Sequence, residues 1–202
     1  MCVEDLKKFV LEDFGVHANL IDTIRNDPKL IAEIVSSAEL IVSSLKSGGK
    51  IMAAGNGGSS CQADHLAEEL VARFHKTRPA LPALSLTNPG VLTCIGNDFG
   101  FEDVFSRQLE ALGNKGDIFY GLTTSGNSPN IIKAVEMAHK KGMKTIILTG
   151  SDGGKLKFMQ DKIDNLILIP GKGSDRIQEV HISIIHIHCE LIERMIFPEL
   201  YR

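Results

Sequence analysis

The chain has 202 residues, 43% of them apolar and 23% charged, and a formal charge of −3, the profile of an ordinary globular protein able to bury a substantial core. That charge recruits neither nucleic acid nor an anionic membrane, and the cysteines Cys2, Cys61, Cys94 and Cys189, lacking C-x-x-C spacing, read as reduced thiols. The acidic start Met1-Cys2-Val3-Glu4-Asp5 carries no secretory pattern and no apolar run approaches the ~20 residues that span a bilayer, so a cytoplasmic protein of one domain, residues 1–202, is expected.

From Val3 to about Thr23, Leu6, Phe9, Val10, Leu11, Val16, Leu20 and Ile24 recur at near-helical spacing, with Gly15 as a weak point. A second helix starts after Asn26-Asp27-Pro28, where Asp27 can cap and Pro28 can take the first turn. Its broad apolar face, Leu30 to Leu45, ends at Gly48-Gly49. Two such helices ahead of the first strand favour use of residues 1–47 in packing one subunit against another.

Beyond them strand and helix alternate. Lys50 to Ala54, Ala83 to Leu86, Ile118 to Leu122, Thr145 to Leu148 and Leu166 to Ile169 are short apolar runs suited to strands buried on both faces. Helical patterns at Cys61 to Phe74, Phe101 to Leu112 and Pro129 to Lys141 separate them, and a last helix runs from about Ser174 or Asp175 to Phe197. The fold class is therefore α/β, a doubly wound and mostly parallel five-stranded sheet flanked by helices, with two leading helices. Such sheets bind ligands at the carboxyl ends of their strands. That directs attention to the loops Gly55 to Ser60, Thr87 to Phe99, Thr123 to Ser128 and Thr149 to Lys155.

In the first loop, Gly55-Asn56-Gly57-Gly58-Ser59 offers backbone N–H groups to an anion and leads into a helix with His65 and Glu69 on one face. That pair reads as proton-transfer groups, as half of a metal site, or as a plain surface pair at i,i+4. Glu68 lies about 100° around the helix from Glu69, solvent-facing or a support. Thr123-Thr124-Ser125-Gly126-Asn127-Ser128 brings four hydroxyls to a helix start, more than a cap at Ser128 requires, and so points to a phosphate monoester. Asp98, after Asn97, can hold sugar hydroxyls or cap the next helix. On the last helix His181 and His188 align with Ile184 and Ile185, as buried structural residues would. His186 lies on a different stripe. Gln178 stands eight residues before it, about 12 Å along the axis, so a common ion would have to sit between the two.

Together, Gly55-Asn56-Gly57-Gly58-Ser59, His65 with Ala67-Glu68-Glu69-Leu70, Gly96-Asn97-Asp98-Phe99-Gly100, Thr124-Ser125-Gly126-Asn127-Ser128, Leu148-Thr149-Gly150 with Asp152-Gly153-Gly154, and Asp175-Arg176-Ile177-Gln178-Glu179 with His186 resemble the phosphoheptose isomerase family of sugar isomerase (SIS) domain proteins over nearly the whole chain. The resemblance implies conversion of sedoheptulose 7-phosphate into glycero-manno-heptose 7-phosphate, the first step of bacterial heptose synthesis for surface glycans, by a homotetramer with sites at subunit junctions. It also implies sugar-phosphate contacts from Asn56, Gly57, Gly58, Ser59, Asn97, Asp98, Thr123, Thr124, Ser125, Ser128, Asp175 and Gln178, with Arg73 reaching a neighbouring site. One zinc ion per subunit is implied on His65, Glu69, Gln178 and His186. Moving a carbonyl from C2 to C1 through an enediol needs one base and one acid, roles assigned to Glu69 and His186. The rival readings are a non-catalytic SIS protein that binds the replication initiator DnaA, whose members lack the counterparts of Glu69 and His186, and an isomerase of pentose or hexose phosphates.

Overall fold

The computed structural model describes residues 2–150 and 152–202. Five strands, β1 (Ile51–Gly55), β2 (Ala83–Ser85), β3 (Ile118–Thr123), β4 (Lys144–Gly150) and β5 (Asn165–Ile169), form one parallel sheet in the order β2-β1-β3-β4-β5. Seven α-helices accompany them among the described residues: α1 (Val3–Arg25), α2 (Pro28–Lys46), α3 (Gly58–Val71), α4 (Pro89–Asp98), α5 (Ser106–Leu112), α6 (Pro129–Lys140) and α7 (Ser174–Ile196).

Side chains that alternate along the strands sort two cores. Ile51 and Ala53 of β1, with Tyr120 and Leu122 of β3, face a layer holding Ile41, Leu66, Leu70, Ile184 and Ile185 from α2, α3 and α7. Met52, Ala54, Phe119 and Ile147 face the opposite layer, with Leu109 of α5 and Ile131 and Val135 of α6. β3 is buried at all six positions, as a central parallel strand covered on both faces must be. Reversal of strand order falls between β1 and β3, whose ends are level, Gly55 pairing with Leu122. Loops leaving a sheet at such a point diverge and open a crevice.

Most departures from the sequence reading are at element ends. Asp27 caps α2 by accepting from the Lys29 and Leu30 N–H groups at 2.9 and 3.1 Å, as expected, and α1 runs unbroken through Gly15. The single helix expected over Phe101 to Leu112 is instead a 3-10 turn, Phe101–Asp103, followed by α5. There the Ser106 hydroxyl bonds back to the Asp103 carbonyl and carboxylate, and Val104 and Phe105 drop into the core. Loop Thr87 to Phe99 is mostly α4, started by Asn88 accepting from the Val91 N–H at 3.1 Å. In α1 only Leu20 and Ile24 are buried; Leu6, Phe9, Leu11 and Phe14 are each more than half exposed. No helix among the described residues is long and apolar enough to cross a membrane.

Candidate active site

The turn after β1 is tight because glycines allow it. A Cβ on Gly55 would stand 2.5 Å from the Ser59 carbonyl oxygen, and Gly57 has φ +57°. Chain direction thus reverses into α3 within two residues, leaving Gly57 and Gly58 exposed and Ser59 buried at the head of that helix. The Asn56 side chain turns sideways and forms a reciprocal amide pair with Asn130 of α6, at 2.9 and 2.8 Å. Its amide is occupied by α6, and Asn130, absent from the sequence-level candidates, is 2% exposed. This pair straps the glycine turn to the loop after β3 across the crevice.

That second loop, Thr123 to Ser128, is shaped by Asn127 and Gly126. Asn127 donates its side-chain amide to the Ser125 carbonyl at 2.9 Å, and its Oδ1 accepts the Lys155 N–H at 3.1 Å. Gly126, at φ +64°, lies against Gly153 so closely that a Cβ would stand 2.1 Å from its carbonyl oxygen. Thr149 to Lys155 is thereby a floor for the hydroxyl loop; Ser151 within it lies outside the described residues. Ser128 occupies the N-cap position of α6, with Pro129 in the first turn, yet its hydroxyl makes no cap bond and instead stands 3.3 Å from Thr123 Oγ1. A hydroxyl pair beside the positive end of a twelve-residue helix suits a phosphate better than it suits the helix alone.

The third part joins two helices. His65 and Glu69 share a face of α3, and His186 meets them from α7, so that one ligand atom from each lies within 4.8 Å of the others. His65 Nε2 is 2.9 Å from His186 Nε2 and 3.5 Å from Glu69 Oε1, while His65 Nδ1 is 2.7 Å from Glu68 Oε1. The Phe74 ring stacks on His186 with centroids 5.7 Å apart. Two imidazoles and a carboxylate with unshared pairs converging on one point can relay a proton or hold a divalent cation. The donor set fits zinc, which accepts nitrogen and carboxylate oxygen together.

Gln178 lies nearer the start of α3. Its side chain rests on Gly58, where a Cβ would come within 2.8 Å of Oε1, and its carbonyl accepts from Gln62 Nε2 at 2.7 Å. Asp175 is exposed in the first turn of α7, its carboxyl held below the usual range chiefly by the Arg176 backbone N–H. Asn97 and Asp98 are exposed at the end of α4 and bond to each other at 2.8 Å; Asp98 does not cap the following turn, whose N-cap is Gly100. Arg73 is exposed beyond α3 and donates to Thr77 Oγ1 at 3.1 Å.

Behind the cluster is a clamp that the sequence reading passed over. Glu193, fully buried two turns after His186, accepts from Arg78 Nε at 3.0 Å, from the Phe74 and His75 N–H groups at 3.2 Å, and from the Tyr201 hydroxyl at 2.7 Å. Arg78 donates in turn to the Glu69 and Leu70 carbonyls at 2.8 and 2.7 Å, closing the end of α3. Seven-residue spacing between His186 and Glu193 was the available signal, since it places both on one stripe of α7.

Residues 17–150 match the SIS domain family. The chain is 51% identical to the phosphoheptose isomerase of Vibrio cholerae over 178 residues, 88% of this chain and 92% of that one. It is 46% identical to the phosphoheptose isomerase of Fusobacterium nucleatum over 193 residues, 91% and 98% of the two chains. Among solved structures, phosphoheptose isomerase GmhA from Neisseria gonorrhoeae superposes with a TM-score of 0.86 at 41% identity, covering 93% of this chain and 98% of its own. A phosphoheptose isomerase from Francisella tularensis gives 0.85 at 39% identity, covering 94% and 98%.

Proposed function

The chain belongs to the phosphoheptose isomerase family of SIS-domain proteins, and on that premise we infer that it converts D-sedoheptulose 7-phosphate into D-glycero-D-manno-heptose 7-phosphate, an aldose–ketose isomerisation that begins bacterial heptose synthesis for surface glycans. The observation that carries this reading is a carboxylate, Glu69, and an imidazole, His186, brought together from separate helices, α3 and α7. A base takes the C1 proton while an acid protonates the C2 carbonyl oxygen; the enediol then collapses by returning a proton to C2 and losing one from the C1 hydroxyl. Glu69 is the base and His186 the acid, each step being of the kind that positioned side chains accelerate ~10²–10⁴-fold.

The Thr123, Thr124, Ser125 and Ser128 hydroxyls and the start of α6 take the phosphate. Gly57, Gly58 and Ser59 admit the sugar close to backbone, beside Asn56, and Asn97, Asp98, Asp175 and Gln178 offer polar groups to its hydroxyls. His65, Glu69 and His186, with Gln178 as a fourth donor, would hold one zinc ion per subunit. When bound, zinc supplies a positive charge able to polarise a carbonyl. A homotetramer is favoured by the apolar face of α1, where Val3, Phe9, Leu11 and Phe14 are 63–73% exposed; the exposed Arg73 is then free to serve a neighbouring subunit's site. Exposed free thiols at Cys2, Cys61 and Cys94 suit a cytoplasmic setting. Retention of Glu69 and His186 favours the enzyme over the DnaA-binding reading.

Purified protein incubated with sedoheptulose 7-phosphate and, separately, with pentose and hexose phosphates tests the assignment. The heptose is expected to turn over fastest. Turnover of a shorter sugar phosphate with none of the heptose would replace the substrate, and no turnover of any would overturn the enzyme.

A further inference from the structure

We propose that Glu68 is a positioning residue: its carboxylate fixes His65 as the Nδ1–H tautomer and so aims the Nε2 lone pair at the point shared with Glu69 and His186, where a divalent cation binds. The inference rests on the zinc reading above and extends it to a residue outside the donor set.

A carboxylate at neutral pH only accepts. The 2.7 Å contact between His65 Nδ1 and Glu68 Oε1 therefore requires the hydrogen on Nδ1. In the neutral ring, Nε2 is then left with a lone pair, and it faces Glu69 Oε1 at 3.5 Å and His186 Nε2 at 2.9 Å. A lone pair and a carboxylate oxygen with no hydrogen between them repel, and a cation placed among the three turns that repulsion into coordination. Glu68 itself stays outside: its side chain is 66% exposed and touches the far nitrogen of the ring. Spacing on α3 enforces the division of labour. Residues i+3 and i+4 flank His65 on adjacent stripes, so Glu68 reaches Nδ1 while Glu69 reaches Nε2. A plain surface pair at this spacing would stabilise the helix only slightly and contribute nothing to the cluster. Hydrogen-bonding a carboxylate to the outer nitrogen also makes the inner one more basic, and losing such a partner typically weakens metal affinity ~10–100-fold.

The test is zinc affinity of full-length, metal-stripped protein, measured in competition with a chromophoric chelator for the wild type, Glu68→Ala and Glu68→Gln. Glu68→Ala is expected to bind ~10–100-fold more weakly. Glu68→Gln is expected to fall between the two, because its amide oxygen still accepts from Nδ1–H but carries no charge. A second readout is independent of metal: ¹⁵N-histidine NMR of the metal-stripped proteins, well above the ordinary imidazole pKa, should report Nδ1–H at His65 in the wild type and loss of that preference in Glu68→Ala. Equal zinc affinity of the wild type and Glu68→Ala overturns the role of Glu68 alone. A wild type that binds no zinc overturns the zinc reading and this inference with it. Thermal unfolding of the metal-stripped variants should match the wild type, since Glu68 is mostly exposed; a folding defect would move that midpoint and not the tautomer.

Discussion

His188 is fully buried on α7, with Nε2 2.8 Å from Ser37 Oγ and 3.1 Å from the Ile34 carbonyl oxygen, and Nδ1 2.9 Å from the Tyr120 hydroxyl. His186, two residues earlier, is half-buried and reaches a polar partner, His65 Nε2, at 2.9 Å. Two positions along a helix are about 200° of rotation, so one ring enters the core between α2 and the sheet and the other meets His65 of α3. Their hydrogen bonding differs in kind. A carbonyl accepts only, so Ile34 puts the hydrogen of His188 on Nε2, and Nδ1 accepts from Tyr120; both nitrogens are satisfied. His186 shares its nitrogen with groups that also seek a proton or a cation. A satisfied imidazole is structural, and one left in competition is available for chemistry.

The comparison predicts opposite responses to removal. His186→Ala, and Glu69→Gln beside it, should lower kcat by ~10²–10⁴-fold while leaving the unfolding midpoint close to that of the wild type. Steady-state kinetics on sedoheptulose 7-phosphate together with thermal melts check this. Full activity in either variant would remove that residue from the reaction.

His188→Leu should do the reverse. It strands the Tyr120 hydroxyl in the core, while Ser37 keeps its bond to the Ile34 carbonyl, at a cost of ~1–3 kcal/mol read from urea unfolding, and kcat of the folded fraction stays close to that of the wild type. Loss of turnover at unchanged stability would erase the distinction between the two histidines.

Acid should find the structural histidines first. Burial pushes His188 and the equally buried His181 down from 6.5 to about 4. The unfolded chain therefore binds more protons than the fold between those values. Their contribution is whole above pH 6.5 and is lost as pH falls toward 4, each withdrawing about 1 kcal/mol between pH 7 and 5.5. Urea midpoints across that range measure it, and in His188→Leu the slope should be about half as steep. A flat profile would mean that these rings are not held neutral.

The division of α7 was legible in its sequence, because the seven-residue spacing of His181 and His188 among isoleucines marks a buried stripe. So were the sheet, from its short apolar runs, and the two turns that follow β1 and β3, from glycine and hydroxyl clustering after strands. What pairs with what across the fold was not. Asn56 reads as a ligand contact, but its amide is taken by Asn130, 74 positions away, because strand order brings the ends of β1 and β3 level. Nothing in the local sequence marks Arg78 and Glu193 as partners; packing of α3 beside α7 makes them a buried pair, 115 positions apart. Local periodicity encodes which face a residue takes, whereas partners across the sheet follow from topology.

The smallest expected effect bears on what holds His186 in place. His188 is fixed by three hydrogen-bonding partners, whereas His186 has the His65 contact and the face of Phe74, stacked at 26° with centroids 5.7 Å apart. Phe74 is itself held by its backbone N–H to Glu193 at 3.2 Å, so the clamp behind the site reaches the imidazole through this ring. Phe74→Leu keeps apolar volume against the core but removes the aromatic face, a contact of ~0.5–1.5 kcal/mol. The expected result is a kcat reduced ~2–10-fold, with KM nearly unchanged, because in the proposed site the phosphate is held by the Thr123 to Ser128 loop and only the orientation of His186 is loosened. Restoration by Phe74→Tyr would show that the ring face is what matters. A kcat equal to the wild type in Phe74→Leu would mean that the neighbouring nitrogen and carboxylate position His186 unaided, and the contrast with His188 would narrow to the number of bonds each ring makes.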